Sequence, residues 1–248
     1  MTTPRGGGFI RTGRRFGHAS GMHSEKPAPL NWSPAGAPSR VALNGDLVRL
    51  ETLDPPRHAE SLYRSSHGEG SGLLWQHLPY GPFAGQEAFD SWLADRAASA
   101  DPLFFAVVDW DTMQALGMVS FMRMDPPNGV IEIGHIWFAP VLQRTRKSTE
   151  AIYLMARYVF DDLGYRRLEW KCDSLNTPSR RAAERFGFAY EGIFRQHMVV
   201  KGRNRDTAWF SMTDAEWPSR RAAFEAWLAP ANFDEEGRQR KSLAAFRT

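Results

Sequence analysis

The sequence predicts a single α/β domain with a central mixed, largely antiparallel sheet and helices on both faces. Three observations predict it. Strand-length apolar runs recur at 103–109, 115–122 and 130–140. Ile152, Met155, Ala156, Val159, Phe160 and Leu163 fall at helical spacing, forming one stripe that Gly164 ends. A strand at 167–173 comes directly after, so strand, helix and strand make a crossover unit, and therefore a parallel pair.

The remaining elements can be read in chain order. "ALNGDLVRLETL" reads as a hairpin turn and a strand, and "PPRHAESLYRSSH" (55–67) as a helix. Phe89, Trp92 and Leu93 give 85–99 helical spacing. In the run 130–140, Ile131, Ile133, His135 and Trp137 share one face, and Glu132, Gly134, Ile136 and Phe138 the other. A short helix from about Pro178 to Phe186 has Thr177 placed to cap it and Gly187 to end it. Two strands flank the turn "KGRN", and "DAEWPSRRAAFEAWL" closes the domain as a helix. The domain is expected to span 41–230, between an irregular stretch at 1–40 and a loose tail at 231–248.

Charge placement narrows the function. The chain of 248 residues carries a formal charge of +3, but residues 1–22 hold Arg5, Arg11, Arg14 and Arg15 and no acid. Without them 27 basic residues face 28 acidic ones, so the folded part presents no electrostatic footprint for a nucleic acid. That basic segment is too poor in apolar residues for a secretory signal, and Met22 is an alternative start. No apolar run is long enough to span a bilayer, and a cytoplasmic location is expected. The single cysteine, Cys172, lies on an apolar strand face and reads as a buried, inert thiol. No histidine pair has metal-ligand spacing, and no metal site is expected.

The loop "VLQRTRKSTEA" (141–151) joins the first strand of the crossover unit to its helix. There helix amides and the helix dipole favour an anion, and a loop of this kind usually carries glycine. This one has none. Main-chain donors do not require glycine if the dihedrals stay right-handed. Arg144, Arg146 and Lys147 add charge, and Thr145, Ser148 and Thr149 add hydroxyls. A solvated basic turn explains the same residues.

The segments downstream of the loop make it specific. "STEA", an amphipathic helix ending "LGY", a strand and "DSLNTPSRRAAERFGFAYEG" together resemble the GNAT superfamily of acyl-CoA-dependent N-acyltransferases. The branch most resembled is that of the ribosomal-protein N-terminal alanine acetyltransferases. Asn176, Ser179 and Gly187 match its N-x-x-S and R-F-G-F pattern, and "LWQHLPYGPF" (74–83) is similar to its substrate-side segment. The family loop reads Q/R-x-x-G-x-G/A. Gln143 keeps the first place, while Arg146 and Ser148 stand where small residues are usual. The resemblance covers about residues 41–217.

The resemblance implies a sheet splayed at an acyl-CoA site, with acetyl-CoA as cosubstrate. Pantetheine would run beside Ile136, Trp137 and Phe138, and pyrophosphate would meet Gln143 to Thr149. Asn176 and Ser179 would lie near the thioester, and Arg185 near the adenosine 3′-phosphate. Trp75, His77, Leu78 and Tyr80 would face the acceptor amine. Only about one amine in a thousand is neutral at pH 7, so a base is useful. Glu132 and His135 are candidates, on opposite faces unless a bulge intervenes, as GNAT sheets commonly have here. Glu132 equally suits fixing a neighbouring arginine, and His135 a satisfied structural role. Ser179 is the candidate for stabilising the leaving thiolate, or a helix cap. The expectation is an N-acetyltransferase, monomer or homodimer, acting on a protein N-terminus or small amine in a ternary complex. Two other readings stay open: a non-catalytic acyl-CoA sensor, and a ribosome- or nucleic-acid-associated module using the basic segment.

Overall fold

The computed structural model describes residues 1–2, 30–68 and 70–247. Most of the expected lead-in, with Met22, lies outside them. The chain divides at Ser33, and the compact unit beginning there holds all the regular structure. It is built on a sheet of eight strands in the order β1-β2-β3-β4-β5-β6-β8-β7. These are β1 (Leu43–Asn44), β2 (Val48–Thr52), β3 (Leu103–Asp109), β4 (Ala115–Asp125), β5 (Val130–Phe138), β6 (Arg167–Asp173), β7 (Ala189–Val200) and β8 (Arg203–Thr213). Every pairing is antiparallel except β5 with β6. Five α-helices accompany them: α1 (Pro55–His67), α2 (Gln86–Ala98), α3 (Arg146–Arg157), α4 (Thr177–Phe186) and α5 (Trp217–Leu228).

Two apolar clusters sandwich the sheet. One joins α3 and α5 to Ile131, Ile133, Leu168 and Phe210; the other joins α1 and α2 to Phe104, Met118 and Trp137. The stripe expected on α3 is buried as expected: Ile152, Met155, Ala156 and Val159 are fully inaccessible. Each large apolar side chain buried this way stabilises by roughly 1.5–3 kcal/mol. The helix then widens into a π-turn over Tyr158–Asp162 before Gly164, at φ +71°, ends it.

Two local expectations change. Helix α4 begins one residue earlier than expected, and its cap is Asn176, not Thr177. The Asn176 side-chain oxygen accepts from the Ser179 amide at 3.1 Å, and Thr177 is already the first residue of the helix. The tail expected at 231–248 is also folded through its described residues. Asn232 is buried and bridges Trp227 O (3.1 Å) and Lys241 O (3.2 Å), while Leu243 enters the main core.

The amino end of α3 is held by a carboxylate. Glu150 accepts the amides of Asp46 (3.0 Å), Leu47 (2.7 Å) and Val48 (2.8 Å) in the β1–β2 turn. Gly45 permits this, since a Cβ there would fall 2.4 Å from the carboxylate oxygen. Replacing Glu150 with Ala strands three amides and should lower the unfolding free energy by about 3 kcal/mol in a urea titration. A loss below roughly 1 kcal/mol would show that the turn is held by other contacts.

Candidate active site

The parallel pairing of β5 and β6 runs only from Val130↔Arg167 to Ile133↔Trp170. Beyond that point Trp137 and Phe138 still pair with β4, and Lys171 to Asp173 still pair with β8. No described strand occupies the inner edge of either. The opening leads into a cleft of about 1670 Å³ lined by Ile136, Trp137, Phe138, Trp170, Asn176 and Ser179. Its far end is lined by 142–148 and Arg185.

A bulge helps to make the opening. On β4, Met118 to Ser120 is two steps, but on β5 their partners Trp137 and Gly134 are three apart. The extra residue is taken up at His135, which has φ +51°. The bulge also changes the faces. Ile131 and Ile133 point into the α3 cluster, whereas Trp137 joins the α1–α2 cluster. The strict alternation that set Glu132 and His135 on opposite faces is therefore broken, and both neighbour Arg123 on one face.

Glu132 is buried and already engaged. Its Oε2 accepts from Arg123 (2.7 Å) and from Lys171 (2.9 Å), whose ammonium also contacts Glu169 (2.5 Å) and lies 3.9 Å from the Trp209 ring centroid. Oε1 has no protein partner among the described residues. The sequence reading missed Lys171, although strand alternation places it with Glu169 and against Glu132 across the sheet.

His135 stacks on Tyr80 and packs on Phe104, with its Nδ1 3.1 Å from the Tyr80 hydroxyl. Burial, with Arg96 and Arg123 nearby, lowers its pKa to about 4, so the ring is neutral at pH 7. Burial also raises the Tyr80 pKa and keeps its phenol protonated. Of the other expected acceptor residues, His77 and Leu78 line the cleft, and His77 lies 3.4 Å from Asp173. Trp75 is buried in the core, its indole donating to Ser66 O at 2.9 Å. Lys201, at the β7–β8 turn, donates to the carbonyls of Trp75 (3.0 Å) and Gly81 (2.7 Å), a contact the sequence did not signal.

At the loop, what is free to meet an anion is main chain rather than side chain. Thr145 caps α3 in a reciprocal box with Ser148, which leaves the Arg146 and Lys147 amides without an acceptor among the described residues. Arg146 and Ser148 lie within the helix, so the glycines usual at those places are not needed; the one left-handed residue is Arg144, at φ +61°. The charge expected from the side chains is partly spent. Lys147 pairs with Asp109 and Asp111, each at 2.6 Å, and Arg146 donates to Leu228 O at 2.6 Å. Gln143 ties the loop to β5 by donating to Phe138 O at 2.9 Å. Thr149 Oγ1 accepts from Arg185 at 3.1 Å.

Ser179 accepts from the Trp170 indole at 3.0 Å, and its hydroxyl also meets the Cys172 thiol. Cys172 lies beside it, buried, its thiol pKa pushed up by that burial. An inert thiol is what the apolar strand face implied.

His135 provides a direct test. Its pKa is depressed below the unfolded value of 6.5, so its contribution to stability is complete above that pH and is lost as pH falls towards about 4. The span corresponds to about 3 kcal/mol. His135→Asn, which tolerates the left-handed backbone, should flatten the fall in stability between these pH values. An imidazole that titrates near pH 6.5 by NMR in the folded protein would contradict the burial argument.

The family description "Acetyltransferase (GNAT) domain" matches residues 49–189, more than half of the chain. YdaF of Bacillus subtilis, named a ribosomal N-acetyltransferase, is 28% identical over 150 residues, covering 53% of this chain and 81% of its own length. The crystal structure of a GCN5-related N-acetyltransferase from Brucella melitensis superposes with a TM-score of 0.86 at 52% identity, covering 88% of this chain and 98% of that one. The fold is shared with the Salmonella typhimurium acetyltransferase described as modifying the N-terminal serine of ribosomal protein L7/L12 (TM-score 0.61, 18% identity, 70% and 99% covered). With the parted strands, the bulge and the capped helix end in place, the chain belongs to the GNAT acetyltransferases and is an acyltransferase.

Proposed function

We propose that this protein moves an acetyl group from acetyl-CoA to a primary amine by direct attack in a ternary complex. The observation that carries the reading is the parting of β5 and β6 above a cleft that ends at unpaired helix amides. Two strand edges that no described strand covers suit the amides of pantetheine along Ile136 to Phe138, where Gln143 already holds the Phe138 carbonyl. The amides of Arg144, Arg146 and Lys147 suit a pyrophosphate. Bound acetyl-CoA supplies an activated thioester; the chain supplies position and a path for the proton.

The amine must shed a proton before it attacks. Glu132 Oε1, which no described protein group occupies, takes that proton through a water molecule, with Arg123 and Lys171 fixing the carboxylate. His135, neutral and held by Tyr80, orients the amine on the same face as Glu132. The hydroxyl of Ser179 stabilises the departing thiolate by a hydrogen bond, while Trp170 holds its oxygen and solvent returns the proton. The Asn176 carbonyl is used by the helix cap, so its NH₂ remains for a pantetheine carbonyl. Cys172 is buried with a raised pKa, which favours direct transfer over an acyl-enzyme. The acceptor reaches this face past His77 and Leu78. The printed name of YdaF favours a protein N-terminus as the first acceptor to try.

Calorimetric titration with acetyl-CoA tests the reading first. Expected is a micromolar dissociation constant, about −8 kcal/mol. Absence of heat, with no competition by CoA, would remove the acetyl-CoA reading. Glu132→Gln should lower kcat about 100-fold with acetyl-CoA affinity unchanged, measured by thiol release. Unchanged kcat would take Glu132 out of the proton path.

A further inference from the structure

The β7–β8 hairpin carries positive charge that its own acids do not balance. From Ala189 to Asp206 it holds Arg195, Lys201, Arg203 and Arg205 against Glu191 and Asp206. Both acids are engaged. Glu191 accepts from Arg167 (2.7 Å) and Ser211 (2.6 Å), and Asp206 from the Gln196 amide (2.7 Å) and Asn204 (2.9 Å). None of the four cations has a carboxylate within ion-pair distance among the described residues. Lys201 instead holds the carbonyls of Trp75 and Gly81, which ties the hairpin tip to the stretch containing His77 and Leu78.

One face of β8 is shared with Glu132. The register sets Lys171 against Trp209 and Asp173 against Thr207, and alternation carries the row on to Arg205. Lys171 also binds Glu132, so the row and that carboxylate lie on the same side of the sheet. β6 ends at Asp173, which leaves Arg205 with no β6 residue opposite it.

Two donors in this row are unpaired. Trp209 Nε1 and Arg205 Nε are buried with no acceptor among the described residues. Buried donors in folded proteins ordinarily have a partner. The indole is fixed in place: Phe194 lies 4.4 Å from it between ring centroids, and the Lys171 ammonium 3.9 Å from its ring centroid. Asp173, the carboxylate of the same row, is taken up by His77 (3.4 Å) and by the Leu175 amide (2.9 Å). Arg205 and Arg180 are both close enough to favour the thiolate of Cys172, which sets Arg205 near Ser179 and the reacting end of the cleft. A planar cation and an N–H donor, both without acceptors, are the complement of an oxygen anion, and a guanidinium suits a carboxylate in particular.

We propose that the acceptor amine carries a carboxylate and that Arg205 receives it, while the Trp209 indole donates to an acceptor oxygen nearer the amine. The inference rests on the reading that an amine acceptor reaches Glu132, and it adds which acceptors do so. Two sources share this chemistry: an acidic residue just behind a protein N-terminus, and a free acidic amino acid. Arg205 determines specificity and takes no part in proton transfer. Lys201 and Arg203, at the hairpin tip, draw the same acceptors towards the cleft.

The test is acetyl transfer, followed by thiol release, to two matched pairs of acceptors. One pair is a decapeptide with Asp and Glu at its second and third positions and the same peptide with Asn and Gln there. The other is free glutamate and free glutamine. In one pair at least, the acidic member should have a kcat/KM about 10-fold or more above its amide. The peptide pair assigns the carboxylate to a protein N-terminus, and the free pair to a small acceptor. Arg205→Gln should bring that ratio close to one by lowering the acidic member alone, and Arg205→Lys should keep part of it. Arg195→Gln, outside the row, should leave it unchanged. A variant that merely unfolds would lose the amide member as well, so retained turnover of the amide separates the two cases. Equal turnover within both pairs, transfer to none of the four, a ratio that survives Arg205→Gln, or one that falls as far in Arg195→Gln would overturn the assignment while acetyl-CoA binding stands. A chain that binds no acetyl-CoA would overturn the reading beneath it, and with it this one.

Discussion

The structure turns on one constraint: a parallel strand pair that stops pairing halfway. β5 and β6 are joined for four residues and then separate, each still held by its antiparallel neighbour. Main-chain N–H and C=O groups on the two inner edges are left without strand partners, and buried peptide groups need partners. An extended ligand with amides of its own answers that need. The bulge at His135 is part of the same event. It turns β5 as the pairing ends, and it brings Glu132 and His135 to a common face.

Around that opening, charge is distributed economically. The side chains of Arg146 and Lys147 look from sequence like the source of positive potential, yet both are engaged, with a carbonyl and two carboxylates. The cradle relies on amides and the α3 dipole, which do not depend on the protonation of any side chain. Glu132 is similarly committed through one oxygen to two cations, leaving the other oxygen for solvent or substrate.

Much of this was legible in the sequence because it depended on periodicity. The stripe on α3, the adjoining strand and the three apolar runs gave the crossover unit and its neighbours, and the N-x-x-S and R-F-G-F pattern pointed to the family. Features set by single dihedrals or distant contacts were harder to read. Alternation alone separates Glu132 from His135, and no local signal marks the positive φ that reunites them. Lys171 was visible as a charge on a strand, but its two glutamates lie on that strand and the next. The segment 231–247 reads as polar and irregular. It is ordered by Asn232 and Gln239 bonding to Trp227 and Lys241 and by Leu243 entering the main core, not by any repeat in its own composition.

The clasp between Glu150 and the β1–β2 turn has a kinetic side. It joins groups separated by more than a hundred positions in the chain. Contacts of such long range are slow to find, because a large loop must close before any energy is returned. Helix α3 can form early from its own stripe. Its first turn, however, is registered against the sheet only once the amino-terminal hairpin has docked. The first turn of α3 is thus expected to reach its final place late in folding, and a chain stalled before that step would be helical and compact, with the mouth of the cleft unformed.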